Sequence, residues 1–298
     1  MKIGFQISRF DWPGGAAAIG PTLGRHVRAA DDAGFDSIWV MDHFFQIRGI
    51  GPAEDPMLEG WTALGFIAAH SSHAHLGLMV GGVHYRLPGL WVKAATTLDI
   101  LSGGRGILGI GAAWNEEESI GLGFPFPPLG QRFEMLEETL RFAHEMWAGD
   151  RGTEAPFEGS HYRATRLLNS PQSLSRPHPQ ILIGGGGEQK TLRLVARYAD
   201  ACNIFGGPEQ LAHKFAVLRE RCDEEGRPYD EIERTTLQAG RVTRDGADGT
   251  LTPAAFIDHL GALADAGAQH AILGIPAQDV DAWIELIGAS VIPAARGL

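Results

Sequence analysis

Short apolar runs alternate along the chain with longer segments in which apolar residues recur at helical spacing. Eight of these runs have the length of a buried strand, which is four or five residues. They predict strands at residues 3–7, 37–41, 76–80, 107–110, 181–184, 201–205, 235–238 and 271–275. Regular alternation of strands and helices is typical of a parallel sheet covered by helices.

The segments between the runs carry the apolar stripe and the end signals of amphipathic helices. Thr22 is predicted to cap a helix that Gly34 ends, another helix spans residues 131–148, and a third begins at Pro208. Eight parallel strands alternating with helices indicate an α/β fold, a (β/α)8 TIM barrel in a single domain over residues 1–298. A doubly wound open sheet is the alternative.

The spacing between strands is regular except between the fourth and the fifth. The stretch from about residue 113 to 180 is longer than one crossover requires, so we expect an insertion on the barrel rim. Its later part, residues 150–178, is rich in Gly, Pro, Arg and Ser without a clear period. We interpret that part as a lid or as a wall of a substrate pocket.

A run of four glycines follows the fifth predicted strand and precedes a helical pattern. Glycine lets the backbone approach a ligand closely, and the free amides of a first helical turn attract anions. Lys190, placed one turn into this helix, would add a positive charge. The stretch predicts a phosphate site, with a tight turn that binds nothing as the alternative; the glycines are Gly184, Gly185, Gly186 and Gly187.

Asp42 and His43 come directly after the second predicted strand. In barrels of this kind the chemistry lies at the carboxyl ends of the strands, and histidine is readily tuned for proton transfer near neutral pH. We therefore predict that His43 transfers a proton, with Asp42 beside it. The alternative is a histidine with a purely structural role.

The third and fourth predicted strands end in small residues. Gly81 and Gly82 leave room for a flat ring close to the backbone. Residues 112–115 also leave room, and Asn115 is suited to hydrogen-bond a ring amide. The acidic residues that follow, 116–118, are interpreted as favourable first-turn helix charges rather than as catalytic groups.

Composition narrows the possible partners and compartments. The chain has 36 acidic and 25 basic residues, a net charge of −11 and no basic run, which disfavours nucleic acid and anionic membranes. Its two cysteines lack metal spacing and are expected to be reduced thiols. No signal peptide and no membrane-length apolar stretch is present, so we expect a cytoplasmic protein.

Other reaction classes lack their characteristic residues. No lysine ends a predicted strand, as a Schiff-base aldolase would need, and no pair of strand-end carboxylates suggests a glycosidase. The histidines at 70, 73 and 75 precede the third strand, on the opposite face of the barrel, so no metal site is expected. No nucleophile elbow or Walker sequence occurs. These observations favour a phosphate-bearing cofactor with a flat ring that carries the chemistry.

Four segments resemble the bacterial luciferase-like superfamily and, within it, the coenzyme F420-dependent oxidoreductases. They are FDSIWVMDHF (35–44), LDILSGGR (98–105), GIGAAWNEEE (109–118) and the glycine segment 181–200, and the resemblance extends from Met1 to about residue 295. It implies a deazaflavin, or FMN, at the C-terminal face, with its phosphate on the glycine loop. It also implies a cis peptide between Met79 and Val80 that supports the ring. Some relatives carry a catalytic acid after the fourth strand, where this chain has no carboxylate between residues 111 and 114.

The combined prediction is an oxidoreductase that transfers a hydride between F420 and a small organic substrate. His43, oriented by Asp42 or a neighbour, would handle the proton, and Trp12, His84 and Tyr85 would shape the substrate pocket. A homodimer through a helix face is expected from the resemblance. The alternatives are an FMN-dependent monooxygenase and a non-catalytic flavin-binding protein. The ring is expected to contact Met79, Val80, Gly81, Ala112, Ala113, Trp114 and Asn115.

Overall fold

The computed structural model describes all 298 residues and contains a closed barrel of eight parallel strands. Going round the barrel, the strands follow the order β3-β2-β1-β8-β7-β6-β5-β4, and pairing of β3 with β4 closes the ring. The predicted (β/α)8 barrel is confirmed, all eight strands occur where they were predicted, and the open-sheet alternative is wrong. The strands are β1 Lys2–Ile7, β2 Ser37–Val40, β3 His75–Leu78, β4 Gly106–Gly111, β5 Gln180–Gly184, β6 Ala201–Asn203, β7 Glu233–Ala239 and β8 His270–Gly274.

The strands are buried on both faces, which is why their sequences are continuous apolar runs rather than alternating ones. The outward-facing side chains join the helices in a cluster of 64 buried residues. A second cluster of six buried residues fills the barrel interior. Its largest member, Trp39, lies so close to Gly77 that a Cβ there would be 2.7 Å from the indole ring. The interior members are Trp39, Met79, Ile107, Leu182, Ala201 and Ile272.

Ten α-helices surround the barrel, and none combines the length and hydrophobicity that a membrane span needs. The first one begins at Ala16, so the prediction of Thr22 as its cap is wrong. Its opening alanines are mostly exposed and carry no apolar signal from which the start could be predicted. The helices are α1 Ala16–Asp32, α2 Gly60–Ala68, α3 Pro88–Leu101, α4 Glu116–Gly121, α5 Leu129–Trp147, α6 Thr191–Tyr198, α7 Pro208–Glu225, α8 Pro253–Asp265, α9 Val280–Leu286 and α10 Ile292–Ala295.

The long connection between β4 and β5 divides into two parts with different positions. Its first part, through α4 and the start of α5, lies at the C-terminal end of the barrel. Its second part, residues 150–178, contains a short hairpin and is held at the opposite end by Asp99 of α3. The Asp99 carboxylate accepts hydrogen bonds from the amides of Leu174 and Ser175, at 2.6 and 3.0 Å. None of residues 150–178 lines the cavity at the C-terminal end of the barrel, so the prediction of a lid or of a substrate-pocket wall is wrong. The chain must return to the N-terminal end of the barrel before β5 begins.

Candidate active site

The carboxyl ends of the strands surround a cavity of about 550 Å³, which we call the C-terminal cavity. It brings together most of the residues predicted for the site, although they come from the ends of four different strands, β2, β3, β4 and β5. The lining residues are Gln6, Met41, Asp42, His43, Ile47, Ile50, Met79, Val80, Gly81, Gly82, Tyr85, Gly111, Ala112, Ala113, Trp114, Leu129, Phe133, Gly184, Gly185, Gly186, Gly187, Thr191, Asn203, Phe205 and Leu237.

His43 lines the cavity just beyond β2, and only one of its two imidazole nitrogens makes a hydrogen bond within the protein. Nδ1 lies 2.5 Å from Oε1 of Glu118, a residue of α4, whereas Nε2 has no hydrogen-bond partner in the protein. The Trp114 ring packs edge-on against the imidazole, with 5.3 Å between the ring centroids. An unpartnered nitrogen on a held ring is suited to exchanging a proton with a ligand in the cavity.

Glu118 lies in the first turn of α4, as predicted, but its surroundings show that it is more than a favourable helix charge. Its side chain is fully buried and also accepts hydrogen bonds from the Tyr85 hydroxyl and from the amides of Phe44 and Phe45. Burial alone would raise the pKa of Glu118, but these donors and His43 hold the pKa below its ordinary value. Glu118 is therefore an ionised carboxylate at neutral pH.

Asp42 does not contact His43, contrary to the expectation that it orients the imidazole. Its buried carboxylate forms a two-pronged ion pair with Arg86, with nitrogen–oxygen distances of 2.7 and 2.8 Å. Arg86 also contacts Glu59, which caps α2. Burial raises the pKa of Asp42, and the guanidinium of Arg86 opposes that shift. Asp42 therefore ties the end of β2 to the segment after β3.

The chain leaves β3 through a cis peptide bond between Met79 and Val80, as the family resemblance predicted. The Val80 side chain then fills the space beside the last residues of β4 and β5. A Cβ on Gly184 would be 2.6 Å from Val80 Cγ2, and one on Gly111 would be 3.1 Å from the same atom. Glycine at these two strand ends allows Val80 to form part of the cavity floor.

The glycine run leaves backbone amides available beside the cavity. Gly185 has a φ of +122°, which favours glycine, and its amide donates to Asn203. The amides of Gly186 and Gly187 donate to no backbone acceptor in the protein. Helix α6 starts only at Thr191, so Lys190 precedes the helix. The prediction that Lys190 lies one turn into the helix is wrong. Free amides beside a helix N-terminus fit an anion such as a phosphate.

Four residues predicted for the site lie outside the C-terminal cavity. The Lys190 amine lies over the Phe133 ring, 5.5 Å from its centroid. Asn115 precedes α4, where its carbonyl accepts a hydrogen bond from Ser119. Both residues are close in sequence to lining residues, and the turn of the chain at each helix start directs them away from the cavity.

The other two are aromatic residues of the predicted substrate pocket. Trp12 packs edge-on against His26 of α1, with 5.0 Å between the ring centroids, in a separate cleft. His84 is buried behind Tyr85 and bonds Ser119 Oγ through Nε2 at 2.9 Å. Burial and the nearby Arg132 lower the pKa of His84 to about 4, so it is neutral at physiological pH.

Sequence reasoning missed several residues that the structure adds to the site. Asn203 ends β6 and lines the cavity. Its position at a strand end is a signal from which it could have been predicted. Gln6 of β1 reaches the carbonyl of Met79 at 3.4 Å. No sequence signal separates Glu118 from its two acidic neighbours or pairs Arg86 with Asp42. The missed apolar residues are Ile47, Ile50, Leu129, Phe133, Phe205 and Leu237.

Together these features define a (β/α)8 barrel whose C-terminal mouth has a loop with free backbone amides, an apolar floor and an imidazole held by Glu118. Such a set suits a cofactor with a phosphate and a flat ring. Residues 1–278 match the family described as luciferase-like monooxygenase, and the chain therefore belongs to that family. The family predicted from the four sequence segments is confirmed.

Similar proteins include enzymes of two chemistries. The F420-dependent glucose-6-phosphate dehydrogenase of Nakamurella multipartita is 32% identical over 248 residues, which are 80% of this chain and 68% of that protein. An F420-dependent secondary alcohol dehydrogenase, solved with an F420–acetone adduct, superposes with a TM-score of 0.83 at 17% identity over 99% of both chains. The monooxygenase RslO1 of Streptomyces bottropensis has a TM-score of 0.81 at 18% identity over 98% of this chain and 99% of that one. The two structural likenesses show the shared fold, which hosts more than one chemistry.

Proposed function

We propose that this chain transfers a hydride between coenzyme F420 and a small organic substrate, with His43 exchanging the accompanying proton. Membership of the luciferase-like family and the F420-dependent dehydrogenases among its relatives make the chain an F420-dependent oxidoreductase. The observation that carries the proposed chemistry is the unpartnered Nε2 of His43, which lies in the same cavity as the glycine loop.

The residues around the cavity fit a phosphate-bearing deazaflavin. The free amides of Gly186 and Gly187 and the start of α6 would hold the phosphate. The cis-linked Met79 and Val80 would support the ring, with Gly81 and residues 112–114 beside it. When bound, F420 would act as the two-electron carrier that accepts or donates the hydride.

The protein's own part in the reaction is proton transfer and orientation. As an alcohol becomes a carbonyl, the hydroxyl proton passes to His43 Nε2; in the opposite direction, Nε2 returns it. The Nδ1 contact with Glu118 holds the ring while this happens. Apolar side chains exclude water around the exchange, which strengthens the electrostatic interactions there.

The walls of the C-terminal cavity favour an uncharged substrate. Of its 25 lining residues, 13 are hydrophobic and none is a lysine or an arginine. Asp42, the only carboxylate on the wall, is already neutralised by Arg86. The glycine loop would already hold the phosphate of the cofactor, so the phosphate of a sugar substrate would need a second site, and no lysine or arginine lines the cavity to offset the cost of burying it. A small apolar alcohol, or its ketone, suits this wall better.

Equilibrium binding of F420 and FMN to the purified protein tests the cofactor. We expect F420 to bind with a Kd below about 100 μM, roughly −5.5 kcal/mol, and more tightly than FMN. Tighter binding of FMN would favour the monooxygenase alternative. Failure of both to bind would show that the glycine run is a structural turn.

A comparison of two alcohols tests the substrate. The rate of F420 reduction would be measured with cyclohexanol and with glucose 6-phosphate under the same conditions. We expect a higher kcat/KM with cyclohexanol. A higher value with the sugar phosphate would contradict the inference from the apolar wall while leaving the F420 chemistry intact.

A further inference from the structure

Glu118 is a buried carboxylate at which four polar groups converge. Its Oε1 lies 2.5 Å from His43 Nδ1 and accepts a hydrogen bond from the Tyr85 hydroxyl at 2.6 Å. On Oε2 it accepts from the amides of Phe44 and Phe45, at 2.7 and 3.1 Å. The side chain has no exposed surface. A buried carboxylate is costly unless it is paired in this way, so the arrangement calls for an explanation.

The chemistry of these four contacts assigns the proton on the imidazole. An ionised carboxylate only accepts hydrogen bonds, and backbone amides only donate them. Since Tyr85 and the two amides are donors that support the ionised form of Glu118, Nδ1 of His43 must also donate. The neutral imidazole then carries its hydrogen on Nδ1, and Nε2 presents a lone pair to the cavity.

We propose that Glu118 is the positioning residue of this site, which holds His43 in the Nδ1–H tautomer and stabilises the imidazolium that forms when Nε2 accepts a proton. A carboxylate behind an imidazole has this effect in other enzymes that transfer protons through histidine. The inference rests on the proposed function in one respect, namely that Nε2 meets the hydroxyl of the substrate.

The fold selects Glu118 from three consecutive acidic residues. Glu116 and Glu117 are exposed on α4, whereas Glu118 and Ser119 face inward. Ser119 anchors the helix by donating to the Asn115 carbonyl at 2.7 Å. Only the third glutamate therefore reaches the end of β2.

Other ionisable groups also lie near the pair of His43 and Glu118. Tyr85 and His84 come from the segment after β3, and Arg132 comes from α5. Burial and the carboxylate of Glu118 raise the pKa of Tyr85, so its hydroxyl remains a donor. Asp42 is matched by Arg86. Glu118 is therefore the ionised carboxylate in contact with the imidazole.

The substitution Glu118→Gln tests the positioning role, with Glu117→Gln as its matched control. Glu117 is exposed on the same helix and contacts only Arg48 at the surface. In Glu118→Gln we expect kcat to fall about 10-fold to 100-fold, as when other partners that orient a histidine are removed. The KM and the Kd for F420 should stay within about twofold, because Glu118 does not line the C-terminal cavity.

The pH profile gives a readout that a merely structural role would not move. Loss of the carboxylate makes protonation of the imidazole less favourable, so the acidic limb of the kcat/KM profile should move to lower pH in Glu118→Gln. The Glu117→Gln profile should match that of the unmodified protein. A wild-type kcat and an unmoved profile in Glu118→Gln would refute the proposal.

Nitrogen NMR of the ¹⁵N-histidine-labelled protein tests the tautomer without any turnover. The His43 signals are identified by their loss in His43→Gln. We expect the Nδ1–H tautomer in the unmodified protein and a shift toward Nε2–H in Glu118→Gln. An Nε2–H tautomer in the unmodified protein would overturn the proposal even if Glu118→Gln fails to fold. If the tautomer is as expected but no alcohol is oxidised, the proposed function fails and the positioning role stands.

Discussion

The two mouths of the barrel differ in how their polar groups are paired. The cavity at the N-terminal mouth is the larger one, about 820 Å³ against about 550 Å³. Several of its polar groups face one another: Lys2 lies 3.0 Å from Glu233, His270 lies 3.4 Å from the same carboxylate, and His270 Nε2 bonds Ser37 at 2.9 Å. Both nitrogens of this histidine therefore face partners within the protein.

The C-terminal mouth has polar groups that lack a partner. His43 Nε2 and the amides of Gly186 and Gly187 have no acceptor or donor within the protein, although Asp42 and Glu118 nearby are fully paired. The comparison teaches that cavity volume is a poor guide to function in this barrel. Groups held in place but left unpaired distinguish a binding site from a satisfied polar network.

The largest effect is expected for His43→Ala, which removes an unpaired group from the C-terminal mouth and should abolish most of the turnover. Removal of the proton-exchanging group should lower kcat about 100-fold to 10,000-fold, the usual contribution of general acid–base catalysis. The Kd for F420 should change less than about twofold. The matched control is His270→Gln at the other mouth, which should lower stability and leave kcat unchanged. Unchanged turnover in His43→Ala would remove His43 from the mechanism.

A smaller effect is expected for Gly185→Ala in the glycine loop. A side chain at a φ of +122° costs about 1–3 kcal/mol, which would weaken F420 binding about 5-fold to 150-fold if the loop distorts to relieve it. Fluorescence titration with F420 measures the change. Gly226→Ala, also at a positive φ but in open space after α7, should keep full affinity. Equal losses in both variants would contradict a role of the loop in binding.

The N-terminal mouth should respond in stability rather than in activity. Burial would raise the pKa of Glu233, but His270 and Lys2 outweigh burial and hold the pKa well below its ordinary value of 4.5. Glu233→Gln should therefore lower the free energy of unfolding by about 1–3 kcal/mol at pH 7, with kcat unchanged.

Linkage gives the pH dependence of that difference in stability. A carboxyl group whose pKa is lowered in the folded protein stabilises the fold at any pH above the pKa it has in the unfolded chain. This stabilisation is lost as the solution pH falls below that unfolded-state pKa. Urea unfolding should show that the free energies of unfolding of the unmodified protein and of Glu233→Gln differ by a constant amount above about pH 5.5. Below pH 4.5 this difference should narrow. A difference that grows in acid would show that Glu233 is not ionised in the folded protein.

The smallest effect is expected for Lys190→Ala. Its amine lies over the Phe133 ring rather than in the cavity, so F420 affinity should change less than about threefold. The same titration as for the loop variant measures it. A loss of more than about tenfold would mean that Lys190 turns toward the cofactor on binding and that its position without ligand is misleading.

Much of the fold and part of the site were predictable because their signals are local. Each strand is a continuous apolar run, and the length of these runs does not depend on what packs around them. The glycine run and the strand-end histidine are likewise written in consecutive residues. The start of α1 was missed because exposed alanines carry no periodic signal, and the lid was wrong because composition does not reveal where a segment returns to the barrel.

The eight-stranded barrel, the glycine loop and the position of His43 at a strand end follow from the order of residues along the chain. The contact of His43 with Glu118, 75 residues away, and the pairing of Asp42 with Arg86 depend on how the folded chain packs. The physical reason is that pairing depends on side-chain direction. A one-residue shift along α4 would place Ser119 where Glu118 lies and move Glu118 to the exposed position of Glu117, and no local pattern records that choice.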